Sequence, residues 1–462
     1  MMKEFESYLH SLMKQSSIPG IGIAIARDGE LIYQKGFGFR NIKEQLPIDI
    51  HTVFGIGSLT KSFTATAILQ LHEKGKINIY ESITNYLPEL CIKSANEMSI
   101  HHLLTHSTGI PPLSSLFKSF IQDFDRGEDS NLFGYINTSN TFIDSYGKLI
   151  HYINENVNEL LGTPGTEFSY SNDGYALLGY IIERASGEGY WEYIRKNICE
   201  PLKMKRTVLY LKYLGEHGNT STLYSINERN KNKKIVESNV WLDAPTMHAA
   251  GFLKSTLNDL IKYFSLISGN KNIENNTVLS QSSIEKILKP HIQMEPNKYY
   301  GYGLNIIQDY HGNKMIEHGG SLHGVSSHTI VIPDKGITAV ILSNIENVPV
   351  FRLLNYAINI LDGREMKARH NTFVQNSLKK EEEYEYCGTF ESEEGMSLII
   401  DQNDYGLTFS SAGLRNLPLQ YVNDDSFIIQ HNDAVNLIRF IRDSKQQICR
   451  VYFGLRQLMK KN

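Results

Sequence analysis

The stretch from Phe54 to Gly75 carries the spacing of an α-helix that lacks a polar face. It reads Phe54-Gly55-Ile56-Gly57-Ser58-Leu59-Thr60-Lys61-Ser62-Phe63 and continues Thr64-Ala65-Thr66-Ala67-Ile68-Leu69-Gln70-Leu71-His72-Glu73-Lys74-Gly75. Apolar residues lie nearly all round it, so the rest of the chain must enclose this helix. Gly75 supplies a stop. Ser58 and Lys61 are three apart, which puts them on one helical face about one turn from each other. Free backbone N–H groups at a helix N-terminus favour developing negative charge near Ser58. Lys61 can take the hydroxyl proton provided burial or a nearby cation keeps it neutral. The pair reads as a serine nucleophile with a lysine base.

Ser-x-x-Lys alone says little. It recurs at Ser11/Lys14, Ser115/Lys118, Ser145/Lys148, Ser268/Lys271, Ser283/Lys286 and Ser377/Lys380. There a surface serine near a surface lysine is the expected reading. An aromatic, glycine-rich approach and an apolar helix behind it set Ser58 apart. Two later segments add matching chemistry. Pro164-Gly165-Thr166-Glu167-Phe168-Ser169-Tyr170-Ser171-Asn172 is a turn and a short polar run ahead of an apolar helix. Near a lysine base, Tyr170 can relay or accept a proton, and Asn172 can hold the lysine or donate its amide to a substrate carbonyl. Ile316-Glu317-His318-Gly319-Gly320-Ser321-Leu322-His323-Gly324 precedes two apolar runs, Thr329–Ile332 and Ile337–Leu342, separated by a turn. Adjacent glycines at a strand admit close approach of a ligand, and an extended substrate can pair along such an edge. His102 and His106, four apart, would need a third ligand to hold zinc. None is placed nearby, so they read as structural.

At 462 residues the chain exceeds what one compact core encloses, and two domains are expected. A net charge of −4 without basic runs gives no argument for nucleic acid or a membrane surface. No apolar run is long enough to cross a bilayer. The start, Met1-Met2-Lys3-Glu4-Phe5-Glu6-Ser7, does not read as a secretory signal, so a cytoplasmic protein is expected. Cys91, Cys199, Cys387 and Cys449 are scattered, with neither metal spacing nor a disulfide framework. Lys3 to Gln15 has helical spacing, and Gly20–Ala26, Asp28-Gly29 and Glu30–Phe37 form a strand, a turn and a second strand. This is an α+β opening, not a run of βαβ units. Leu113 to Tyr152 is polar and includes Asp123–Ser130, which reads as an exposed loop or a lid. A helix from Phe351 to Leu361 ends the first domain, and the charged residues Asp362 to Glu383 read as a linker. Beyond Tyr386, short runs at Ser397–Ile400, Leu407–Phe409, Leu417–Val422, Phe427–Ile429, Val435–Ile441 and Ile448–Phe453 predict a small antiparallel barrel or sandwich.

Taken together, Ser58-Leu59-Thr60-Lys61, Tyr170-Ser171-Asn172 and His318-Gly319-Gly320 resemble the three motifs of the penicillin-binding-protein and serine β-lactamase family. Leu103-Leu104-Thr105-His106-Ser107-Thr108-Gly109, Ala249-Ala250-Gly251-Phe252 and Tyr300-Gly301-Tyr302-Gly303-Leu304 look like stretches of its class C-like branch. The resemblance covers about residues 5 to 363. It implies a β-lactamase-like domain over residues 1–363, an antiparallel sheet flanked by helices plus a helical subdomain. A linker at 364–383 and a lipocalin-like β-barrel at 384–462 would follow. It further implies that Ser58 is acylated, that Lys61 activates it, and that Tyr170 exchanges protons with the leaving group and then with water. Asn172 and His318 would position groups, Gly320 would flank the substrate, and the N–H groups of Ser58 and Ser321 would form an oxyanion hole. His318 stands where many β-lactamases have a lysine, which is more like the family's esterases, D-aminopeptidases and DD-peptidases. Pro201-Leu202-Lys203-Met204 departs from the family by lacking a glycine at its third place. The implied activity is hydrolysis of an amide or ester, first of all in a peptide containing a D-amino acid. A carboxylesterase, a β-lactamase or a non-catalytic peptide-binding or assembly member are the alternatives. No cofactor or metal is implied. The partners would be a small-molecule or peptide substrate and further copies of the chain, joined through the C-terminal domain.

Overall fold

The structure is a computed structural model that describes residues 2–120, 142–214, 218–227, 234–238, 241–268, 278–370, 373–431 and 433–461. The segment expected to be a loop or lid, Asp123–Ser130, lies outside the described residues. One antiparallel sheet organises the first 360 residues. Its strands are β1 (Gly20–Arg27), β2 (Glu30–Asn41), β3 (Leu46–Pro47), β4 (Ile292–Glu295), β5 (Lys298–Tyr300), β6 (Asn305–Tyr310), β7 (Asn313–Leu322), β8 (Val325–Ile332) and β9 (Ile337–Ser343), in the order β3-β2-β1-β9-β8-β7-β6-β5-β4. The first hairpin therefore meets the last strand, and Ile23 faces Ile341 across that pairing.

Period-two alternation decides which layer each side chain joins. Ile21, Ile23 and Ile25 pack with Phe5 and Leu9 of helix α1 (Lys3–Gln15) and with Leu353 and Leu354 of the helix Val350–Leu361. Ala24 and Ala26 turn to the other face, where Leu257 and Leu260 of the helix Leu257–Ile267 cover them. Small residues suffice there because that helix lies close. A Cβ at Gly22 would stand 2.9 Å from Leu257 Cδ1.

Helix α2 (Thr60–Glu73) lies in the larger core beyond that helix, and every residue from Thr60 to Leu71 is buried. Its hydroxyls are satisfied internally, which makes such burial tolerable. Thr60 Oγ1 donates to Gly57 O at 2.7 Å and Thr64 Oγ1 to Ala249 O at 2.7 Å. Phe63 stacks on Tyr263 with ring centroids 3.9 Å apart. Helices α3 (Ile100–Leu104), α4 (Tyr146–Asn156) and α5 (Asn172–Ser186) complete the helical part around α2. Lys203, where the family more often has glycine, takes φ +53. The loop keeps its left-handed residue, with a lysine bearing the strain.

The C-terminal strands are β10 (Gly388–Glu391), β11 (Ser397–Asn403), β12 (Gly406–Ser411), β13 (Leu414–Pro418), β14 (Gln420–Asn423), β15 (Ser426–His431), β16 (Ala434–Arg442), β17 (Ile448–Phe453) and β18 (Arg456–Lys460). Their order is β13-β12-β11-β10-β18-β17-β16-β15-β14. The two edge strands, β13 and β14, are joined by Leu419 alone, so the ends of the sheet must lie side by side. The result is a nearly closed all-β domain around Phe390, Phe409, Phe427, Phe440 and Leu458. The run expected at Leu417–Val422 is thus two strands, because the chain turns a corner at Leu419, whose N–H bonds Leu407 O at 3.0 Å. The stretch read as a linker is held at two points along it. Asn359 Nδ2 donates to Ala368 O at 2.9 Å, and Asn376 N–H to Tyr421 O at 3.0 Å.

Candidate active site

Ser58 sits in a single 3-10 turn, Gly57–Leu59, that runs straight into α2. Gly57 has φ +51, and a Cβ on it would stand 2.6 Å from Ser321 N. A Cβ on Gly320 would stand 2.1 Å from Ile56 O and 2.9 Å from Ser58 N. Two glycines therefore let the serine turn and strand β7 meet backbone to backbone. This contact brings the Ser58 N–H and the Gly320-Ser321 segment together.

Lys61 is fully buried and its Nζ lies 3.2 Å from Ser58 Oγ. It also donates to Asn172 Oδ1 at 2.9 Å and to Ala250 O at 2.6 Å. All three partners are neutral. Burial, reinforced by the Arg456 charge and opposed by Glu394, holds the Lys61 ammonium well below the usual lysine range. Tyr170 closes the other side, with its ring centroid 4.7 Å from Lys61 Nζ. Burial raises the Tyr170 phenol, while the Ser58 hydroxyl and Arg456 pull it back. Asn172 opens α5, whose N-cap Ser171 accepts the Gly174 N–H at 3.0 Å.

His318 is buried and joins a chain of fixed direction. The Ser171 N–H donates to His106 Nδ1 at 3.0 Å, so neutral His106 carries its proton on Nε2. That proton points to Tyr300 Oη at 3.1 Å, and the Tyr300 hydroxyl donates on to His318 Nε2 at 3.2 Å. The His318 Nδ1–H then donates to Gly319 O at 2.6 Å. Backbone groups at both ends thus set both tautomers. Burial keeps both rings neutral, with His318 held down at about 4. His106, at φ +55, also stacks on Tyr170 with centroids 4.2 Å apart. The His102–His106 pair does separate work, since His102 Nδ1 takes the Ser99 N–H at 3.2 Å in a capping box. Among the described residues, no group of three or more His, Cys, Asp or Glu is placed to hold a metal ion.

A cleft of about 890 Å³ is lined by Ser58, Tyr170, His318, Ser321 and Arg456. Along it, residues 318–322 of β7 pair with β8, whereas the pairing with β6 ends at Asn305 opposite Glu317. The strand edge beside Ser58 is open to an extended ligand. The seven residues singled out from the sequence, Ser58, Lys61, Tyr170, Asn172, His318, Gly320 and Ser321, all converge here.

The role of the other groups at the site is not marked in the sequence. Ala250, inside the stretch Ala249-Ala250-Gly251-Phe252, contributes only a carbonyl. Glu317, behind His318, is buried between Lys298 Nζ at 3.1 Å and His328 Nε2 at 2.9 Å. Asp173 is buried against the Ser115 hydroxyl, and burial lifts its carboxyl to about 7. Arg456 arrives from the C-terminal domain, with its guanidinium 4.5 Å from the Tyr170 ring centroid. Its only sequence signal is the glycine turn Gly454-Leu455 ahead of it.

The same architecture occurs in solved structures. The octameric penicillin-binding protein homologue from Pyrococcus abyssi shares 28% identity at a TM-score of 0.69, over 99% of each chain. SurE shares the fold at a TM-score of 0.72 and 19% identity, over 99% of this chain and 98% of its own. Among curated proteins, penicillin-binding protein 4* of Bacillus subtilis (strain 168) is 24% identical over 442 residues, 93% of this chain and 91% of that protein. Protein flp of Staphylococcus aureus (strain MW2) is 26% identical over 367 residues, 77% of this chain but 65% of that relative's length. No helix among the described residues is long and apolar enough to cross a membrane. Residues 5–362, which hold all seven converging groups, match the model of the Beta-lactamase family, and the chain belongs to that family.

Proposed function

We propose that the protein is a serine hydrolase that works through an acyl-enzyme on amide or ester bonds, with peptides containing a D-amino acid as its first substrates. The observation that carries this reading is the buried Lys61 amine 3.2 Å from Ser58 Oγ, bonded to neutral acceptors. A lysine so enclosed is a base, not a cation. Lys61 takes the Ser58 proton as Oγ bonds to the substrate carbonyl carbon. The oxyanion is held by the N–H groups of Ser58 and Ser321. As the scissile bond breaks, Tyr170 protonates the departing amine or alcohol and recovers a proton from Lys61. Water then attacks the ester with its proton passing to the Tyr170–Lys61 pair, and Ser58 is released protonated. Asn172 keeps the amine aimed, and the substrate backbone lies along the open edge of β7 at Gly320.

Names of relatives support the D-peptide choice, since several are penicillin-binding proteins. Neutral His318 favours a second reading, an esterase or aminopeptidase, because it offers no cation to a substrate carboxylate. Assembly through the C-terminal domain is part of the proposal, supported by the octameric relative and by Tyr405 and Met459, which are exposed on that domain. Sedimentation of the purified protein tests it, and a monomer at all concentrations refutes it.

The chemistry is tested by intact mass after incubation with a penicillin, beside Ser58→Ala, followed by a panel of D-amino-acid amides and short esters. An adduct on the wild type alone identifies the nucleophile and favours a peptidase for D-alanine-like ends. Hydrolysis that survives Ser58→Ala refutes the reading, and a binding function that survives it points to a non-catalytic member.

A further inference from the structure

The C-terminal domain does not merely lie over the cleft. The hairpin of β17 and β18, turning at Gly454-Leu455, is bonded to the segment that carries Tyr170. The Tyr170 N–H donates to Leu455 O at 2.9 Å. Gln457 Nε2 donates to Glu167 Oε2 at 2.7 Å and to Phe168 O at 3.1 Å. Arg450 holds Glu167 with both arms, at 3.0 and 3.2 Å. Tyr452, Phe168, Tyr170 and Tyr300 share one small apolar cluster. Such a seat, bonded through Leu455 and Gln457 on either side of one hairpin residue, fixes where that residue points.

That residue is Arg456. Its Nε donates to Glu394 Oε2 at 2.6 Å, and the two side chains are only 14% and 12% exposed. The guanidinium and Lys61 Nζ lie 4.5 and 4.7 Å from the same ring centroid, that of Tyr170. Arginine keeps its proton in any protein environment, whereas lysine does not. Two cations on one enclosed ring repel, and the lysine is the one able to relieve this. We propose that Arg456, held by Glu394, is a positioning residue for the Lys61–Tyr170 pair, so that the C-terminal domain completes the catalytic unit.

The proposal deepens the hydrolase reading and rests on its assignment of Lys61 as base. Arg456 and Glu394 are the charged groups that act on Lys61, with opposite signs. His106 and His318 face the pair but are neutral by burial. Asp173, next to Asn172, titrates at about 7 and also faces Arg456. Glu317, behind His318, is engaged by Lys298 and His328. Removing Arg456 leaves Glu394 to favour the Lys61 ammonium, and removing Glu394 does the reverse.

The experiment is trace acetylation of Lys61 in the full chain across pH, read by peptide mass spectrometry. It compares wild type, Arg456→Gln, Arg456→Lys and Glu394→Gln, and it needs no turnover, so it stands apart from the test of the hydrolase reading. Below the wild-type midpoint, Arg456→Gln should label roughly twentyfold more slowly, the effect of one unit charge at an effective dielectric near 20 and about 9 Å, the two centroid distances laid end to end. Glu394→Gln should label faster there, and Arg456→Lys should stay near wild type. Wherever a substrate is hydrolysed, the acid limb of kcat/KM should move in the same directions. Coincident midpoints in all four proteins overturn the proposal. So does a loss confined to KM for substrates with a free carboxylate and an unmoved midpoint, which would make Arg456 a substrate ligand. If Arg456→Gln does not fold, the opposed shift in Glu394→Gln still decides.

Discussion

Removing one oxygen atom, in Tyr300→Phe, should unseat the site without leaving a cavity. Tyr300 is fully buried, and its hydroxyl is the sole link between His106 and His318 in the directed chain. Without it, the His106 Nε2–H loses its acceptor and His318 Nε2 loses its donor. Each orphaned buried group costs about 1–3 kcal/mol, and both rings are neutral, which argues for the lower half of that range. The expected loss is about 2–4 kcal/mol, read from urea unfolding followed by tryptophan and tyrosine fluorescence. Tyr302→Phe is the matched control. Tyr302 is also buried, but its hydroxyl serves a single histidine, His101 Nδ1, at 2.8 Å. It should cost about half as much. The activity readout is separate. His106 stacks on Tyr170, so a loosened His106 ring should lower kcat for whichever ester or amide the wild type hydrolyses, with less effect on KM. If Tyr300→Phe matches Tyr302→Phe in both stability and kcat, the chain does not hold the site and the argument fails.

Two further substitutions read the buried carboxylates by pH. Protonated Asp173 contributes stability that is fully present below the ordinary aspartate value of 3.8 and lost as the pH rises through about 7. Asp173→Asn should therefore flatten the fall in melting temperature between pH 4 and 8 and raise stability most at the alkaline end. An unchanged slope would show that Asp173 ionises freely in the folded protein. Glu317 behaves oppositely. Burial alone would raise its carboxyl, but the Lys298 charge and the His328 bond hold it well below the ordinary glutamate value of 4.5. Its contribution is present above that value and fades as the pH falls. Glu317→Gln leaves Lys298 without its buried counter-charge and should cost about 3 kcal/mol at pH 7. The gap to wild type should narrow below pH ~4. A gap constant from pH 7 to pH 3 would rule out the ion pair as its source.

What could be read in the sequence was whatever chemistry shares a stretch of chain with its own scaffold. Ser58 and Lys61 are three residues apart on a helix whose enclosure shows in its own pattern, so spacing alone places hydroxyl beside amine. Tyr170-Ser171-Asn172 and His318-Gly319-Gly320 each carry a turn or glycine pair that shapes the local backbone. Most of the barrel was legible from its short apolar runs, but the strands Gly388–Glu391 and Arg456–Lys460 were not among them, and Leu419 hides a corner inside one run. Groups that reach the site by tertiary contact were not legible. The carbonyl of Ala250 has no side chain to betray it. His106 and Tyr300 stood in recognisable stretches, yet their roles depend on a hydroxyl placed between two rings, His106 and His318, that lie far apart along the chain. Arg456 is the extreme case. Nothing in an alternating strand near the end of the chain marks one arginine for a place beside Tyr170. Its position is set by the Glu167–Arg450 pair, which spans 283 residues of chain, and by the Leu455 carbonyl. Spacing can place a hydroxyl beside an amine, because both ride on one helix. It cannot place the Arg456 charge that adds to the effect of burial on Lys61, because Coulomb's law depends on separation in space and takes no account of separation along the chain.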